Sequence, residues 1–112
     1  MRDINEELVD YELDLGANRK GEVNESYLAA LGYSIKFALQ RMFNPMPGPK
    51  LKVRGTAKEI DSFFSALKSE KKFMDAYMKH GLNDPKTIKN ASALKRSVSR
   101  FEGTTGLRWP FK

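Results

Sequence analysis

Four cations near the end of this chain recur at a spacing that could do chemistry. Lys86, Lys89, Arg96 and Arg100 fall, at 100° per residue, within about 80° of one another on a helix, with no acid in the stripe. Such a row can track the phosphates of a nucleic acid, each cation neutralising about one phosphate and releasing its counterions. Ser97 borders the stripe and is a candidate phosphate donor. No asparagine or glutamine stands where it would read base edges, so any such binding is expected to be indifferent to sequence. The plainer interpretation is a solvent-facing helix that happens to use lysine and arginine.

Catalytic constellations are absent from the pattern. The chain has no cysteine and one histidine, His80, which rules out a thiolate zinc site, a cysteine nucleophile and a disulfide framework. No serine sits in a nucleophile elbow and no glycine-rich phosphate loop is present. Asp3, Glu6, Glu7, Asp10, Glu12 and Asp14 are oxygen donors in number, but their spacing fits no calcium loop. His80 lies at an expected helix C-terminus, where a capping role fits better than a catalytic one. The expectation is a protein that is not an enzyme and that needs no metal or other cofactor.

The chain closes on "GLRWPFK", which holds its only tryptophan. Docked on the body, Trp109 and Phe111 would bury a few hundred Å² between them, worth several kcal/mol at about 25 cal/mol per Å². Left exposed, they become candidates for partner binding or base stacking, with Arg108 and Lys112 gripping phosphate. Docking is the preferred alternative.

These side chains need elements to position them. The 112 residues suffice for one modest core. The start is acidic and no window approaches a membrane span, so a soluble protein with no secretory signal and no membrane partner is expected. Net charge is +6, unevenly spread: residues 1–49 carry five Lys or Arg against eight acids, −3, and residues 50–112 carry fifteen against six, +9. That split points to an anionic partner for the second half, or to an acidic head folded against a basic body.

Residues 4–15 read as either helix or strand, with helix slightly favoured by an Asp3/Glu6 capping box and strand by the alternation of Val9, Tyr11, Leu13 and Leu15. A loop follows. A helix capped by Asn24 or Ser26 is predicted from about Asn24 to Phe43, with Leu28, Leu31, Ile35, Ala38 and Met42 as its buried stripe and Gly32 marking a close helix crossing. "NPMPGPK" stops it and makes the clearest joint, between an acidic head and helical arm (1–49) and a basic body (50–112) of one compact domain.

"LKVR" reads as a short strand. Thr56 and Glu59 form a capping box that opens a long helix to His80, with Ile60, Phe63, Phe64, Leu67, Lys71, Met74, Tyr77 and Met78 on one face. The Lys71 stem is expected along the core, Asp75 should pair with Lys79, and Gly81 should end the helix with Leu82 folded back on Tyr77. Asp84 and Pro85 open a last helix that buries Ala91, Leu94, Val98 and Phe101, with Ile88 at the margin, and stops at Gly103. The expected fold is mainly α: three or four helices, the last two antiparallel, plus a short extended or two-stranded β element.

From about Leu51 to Lys112 the chain resembles small uncharacterised proteins of contractile-tailed, large-genome bacteriophages, marine ones among them. The resemblance is carried by "KVRGTAKEIDSF", "EKKFMDAYMKHGLNDPKT" and "FEGTTGLRWPFK". It implies a viral origin and a place of action in the infected bacterial cytoplasm or the virion, and it transfers no site residue. Two functions remain. One is an accessory protein that binds nucleic acid weakly through Lys86, Lys89, Arg96, Arg100 and Arg108. The other is a protein-interaction or assembly module, self-associating in one version, that engages another subunit through the helical arm before the proline joint or through the tail residues Trp109 and Phe111.

Overall fold

The computed structural model describes residues 11–45 and 50–111. It is mainly helical, in the order β1 (Tyr11–Asp14), α1 (Glu25–Phe43), β2 (Leu51–Arg54), α2 (Ala57–His80) and α3 (Pro85–Thr105). The two strands pair in parallel, Tyr11 opposite Leu51 and Asp14 opposite Arg54, with α1 as the crossover that a parallel pair requires. For residues 11–14 the alternation of apolar and charged residues therefore prevails over helical spacing. Tyr11 and Leu13 turn one way with Leu51 and Val53, and the opposite face carries Glu12, Asp14, Lys52 and Arg54. The Asp3/Glu6 box and the rest of that segment lie outside the described residues.

The proline-rich joint does not divide the core. Leu13, Leu15, Leu31, Ile35 and Leu39 from before it pack in one cluster with Phe63, Leu67, Val98, Phe101, Leu107 and Trp109 from after it. Ion pairs also bridge the halves. Arg19 grips Glu59 in a fork, Nε to Oε2 at 2.9 Å and Nη2 to Oε1 at 3.0 Å, and Arg54 reaches Glu12 at 3.4 Å.

Helix starts follow their capping residues. Asn24 accepts from the Tyr27 amide at 2.8 Å, and Asp84 accepts from Lys86 ahead of Pro85. Thr56 and Glu59 form the reciprocal box, so Glu59 holds the α2 N-terminus and the Arg19 loop at once.

Several expected details differ. Leu28 is exposed, a turn beyond the body, and the buried face of α1 is Leu31, Ser34, Ile35 and Leu39. What lies over Gly32 is no helix but Pro110 of the tail, whose Cβ would be 3.9 Å from a Cβ at Gly32. On α2 the buried arc is set by two neighbours, the α1–sheet layer and α3, so Ser62, Ala66 and Ala76 are buried while Phe64, Tyr77 and Met78 are exposed. Small residues let α3 approach closely. Lys71 does lie half-buried, its Nζ 5.0 Å above the Phe43 ring, but it is Lys71 that binds Asp75, at 3.1 Å, in place of Lys79.

Gly81 has positive φ, yet its ψ of 170° sends the chain outward, so Leu82 does not fold back on Tyr77 and both stay exposed. The Thr87 hydroxyl closes this turn by donating to the Gly81 carbonyl at 2.7 Å. Helix α3 passes through Gly103 and ends at Gly106, where φ of 75° and ψ of 7° give the left-handed cap.

Candidate nucleic-acid interface

Helices α2 and α3 form an antiparallel hairpin. Its seam is fixed by Ser69 and Ser97, whose hydroxyls share a hydrogen bond of 2.8 Å, and by Arg100, which pairs with Asp61 and reaches Ser65. These contacts bring the cationic stripe of α3 beside the outer face of α2. Lys86, Lys89, Arg96 and Arg100 are all exposed, and Arg108 is exposed between two buried neighbours on the tail. From Lys86 to Arg100 the stripe runs about 21 Å at 1.5 Å per residue.

Arg100 in the stripe and Ser97 at its border differ from expectation. The stripe holds no acid of its own, but Asp61 from α2 supplies one, so Arg100 is already neutralised. The Ser97 hydroxyl is engaged with Ser69 and is not a spare phosphate donor.

Sequence reading missed two cations that the fold adds. Lys72 and Lys79 on α2 project to the same side as Arg100 and Asp61, because residues 61, 65, 72 and 79 share one helical face. The seven-residue step between them was the available signal; only the pairing of α2 with α3 shows which side it serves. Lys72, Lys79, Lys86, Lys89 and Arg96 make no ion pair with another described residue.

The tail is part of the core. Trp109 is only 2% exposed and packs edge-on against Phe101, ring centroids 5.3 Å apart, with Phe63 at 6.3 Å. Its indole Nε1 donates to Glu70 Oε1 and its backbone N–H to Glu102 Oε2, both at 2.8 Å. Phe111 is half-buried beside Glu70. Trp109 thus has no free ring face with which to stack on a base or enter a partner, and a partner-binding role for it does not hold in this conformation. Lys112 lies outside the described residues.

Electrostatics separate structural acids from the interface. Arg19, with the Thr56 amide, holds Glu59 below the usual carboxylate range, and Lys20 with the Gly16 amide does the same for Asp14. Burial pushes Glu70 up, opposed by the Trp109 donor. Burial also raises Tyr27 to about 12 while its hydroxyl donates to the Asp14 carbonyl at 2.5 Å. Among the described residues no three His, Asp or Glu side chains gather as metal ligands, and no helix is long and apolar enough to cross a membrane. His80 ends α2 in solvent, while the cap bond there is made by Gly81, whose N–H donates to the Tyr77 carbonyl at 2.9 Å.

No family model, curated protein or solved structure matches the chain. The hairpin itself must therefore carry the functional argument.

Proposed function

We propose that this protein is a non-enzymatic accessory factor that binds nucleic acid through its phosphate backbone, without reading sequence. The observation that carries the proposal is the cationic side of the α2–α3 hairpin, where Lys72, Lys79, Lys86, Lys89 and Arg96 stand exposed and unpaired with any described acid. Helices hold these cations at fixed spacing, so little ordering is lost when phosphates approach. The burial of Trp109 favours backbone contact over base stacking, since its indole offers no stacking platform. The bacteriophage resemblance of residues 51–112 suggests the setting, an infected bacterial cell or a virus particle.

Anisotropy of a labelled mixed-sequence duplex, titrated with protein at low salt and again at about 0.2 M salt, tests the proposal. Binding should be saturable at low salt and weaken steeply at the higher salt. The double variant Lys89→Glu with Arg96→Glu, shown by circular dichroism to be folded, should lose at least tenfold in affinity. Equal affinity for the variant and the parent would end the proposal. Trp109 emission should stay fixed throughout, because the indole is already enclosed.

A further inference from the structure

The hairpin has a second side, unlike the first. Away from the cations, Phe73, Ala91, Leu94 and Val98 line a cleft of about 770 Å³ that ends on Pro110 and Phe111. Past Phe73, Ala91 and Lys95 it opens into a hollow of about 320 Å³ at the hairpin tip, walled by Leu82 and Ile88. Past Glu70 and Phe111 it meets a third cleft of about 770 Å³ against α1, where Lys36 stands on the wall. Because neighbouring clefts share lining residues, they form one apolar trough. Along α3 from Ile88 to Glu102 it runs about 21 Å, the length of a helix of about 14 residues.

The tip leaves apolar surface uncovered in water: Tyr77 is 51% exposed, Leu82 61% and Ile88 55%. The chain's own tail shows what the trough accepts, since Phe111 sits in it and fills only the middle.

Charge selects the occupant. Lys95 and Lys36 line the trough. The neighbouring acids are engaged within the chain: Asp75 with Lys71, Asp84 as the α3 cap, Glu70 and Glu102 on Trp109. A second copy laid trough to trough would bring lysine against lysine, which opposes association. A helix with apolar residues at i, i+3, i+4 and i+7 and carboxylates on its flanks would satisfy both the apolar floor and the basic rim.

We infer that the trough between α2, α3 and the tail is the docking site for an acidic amphipathic helix of another protein. It lies on the opposite side of the hairpin from the cationic stripe, so the two can be tested separately.

The probe is a fluorescein-labelled 18-residue peptide with leucines at helical spacing and glutamates elsewhere, and a matched peptide with lysines replacing the glutamates. In anisotropy titrations at about 0.15 M salt the acidic peptide should bind and the basic one should not. Ile88→Glu and, separately, Lys95→Glu should each weaken binding at least tenfold; both positions are exposed, so folding should survive. The double variant Lys89→Glu with Arg96→Glu should change it less than threefold. No binding, equal binding of the basic peptide, or a loss seen only in the Lys89/Arg96 variant would overturn the assignment. So would a concentration-dependent dimer in light scattering that Ile88→Glu dissociates, since the trough would then belong to a second copy.

Discussion

Two buried carboxylates, Glu70 and Glu59, are placed in opposite electrostatic situations. Glu70 is raised by burial, and the Trp109 indole offsets part of that by donating to it. A raised carboxyl contributes stability below its ordinary value of 4.5 that is lost as pH rises from there through its folded value. Trp109→Phe removes the donor, pushes Glu70 higher and enlarges that loss. The variant should be less stable by about 2–3 kcal/mol at pH 7, combining an unmet buried acceptor with lost packing, and by clearly less at pH 4. Urea denaturation followed by circular dichroism at the two pH values measures the difference.

Glu59 runs the other way. Held low by Arg19, it contributes stability above pH 4.5 that is lost as pH falls through its folded value. Arg19→Ala should therefore be less stable at pH 7, by less than the loss of a fully enclosed pair would cost because Arg19 is half exposed. The deficit should shrink on acidification, as the same urea titrations at descending pH would reveal.

At the scale of elements, two glycines inside helices lack a structural reason to be glycine. A Cβ at Gly103 would meet nothing within 4 Å, and one at Gly32 would meet only Pro110, at ordinary contact distance. Gly103→Ala and Gly32→Ala should each stabilise the fold by about 0.5–1 kcal/mol, read as a higher denaturation midpoint at unchanged slope. Gly106, at positive φ and pressed against Asn18, should not tolerate the same change.

How far the elements were legible follows from how local their causes are. The Thr56–Glu59 box, the Asn24 cap and the Asp84–Pro85 start are written in neighbouring residues, and the helices begin where those residues stand. The parallel pairing of Tyr11–Asp14 with Leu51–Arg54 joins segments 40 residues apart, and four-residue strands carry too little periodicity to announce a partner. The buried arc of α2 differs from its apolar stripe for a related reason. A stripe of large apolar residues marks one packing face, whereas Ser62, Ala66 and Ala76 mark a second face through their smallness. Of the candidate site, the α3 stripe was legible from spacing alone; the neutralising Asp61 and the added Lys72 and Lys79 depend on the helix beside it.

Taken whole, the molecule sorts its charge by pairing across the chain. Glu12 with Arg54 and Arg19 with Glu59 tie the acidic first half to the basic second half, and Asp61 neutralises Arg100 within the hairpin. What remains on the cationic side is Lys72, Lys79, Lys86, Lys89 and Arg96. If these contact duplex phosphates, each should contribute about −0.9 to the slope of log K against log salt, giving about −4.5 in total. Lys89→Ala with Arg96→Ala should lower the magnitude of that slope by about 2 and weaken binding evenly across sequences. Arg100→Ala should leave the slope nearly unchanged, because Arg100 is held by Asp61 and has no phosphate contact to lose. Salt titrations of duplex affinity for the three proteins separate a defined cationic side from diffuse attraction by net charge. Under diffuse attraction the slope would follow total charge, and Arg100→Ala would lower it by half as much as the double variant does.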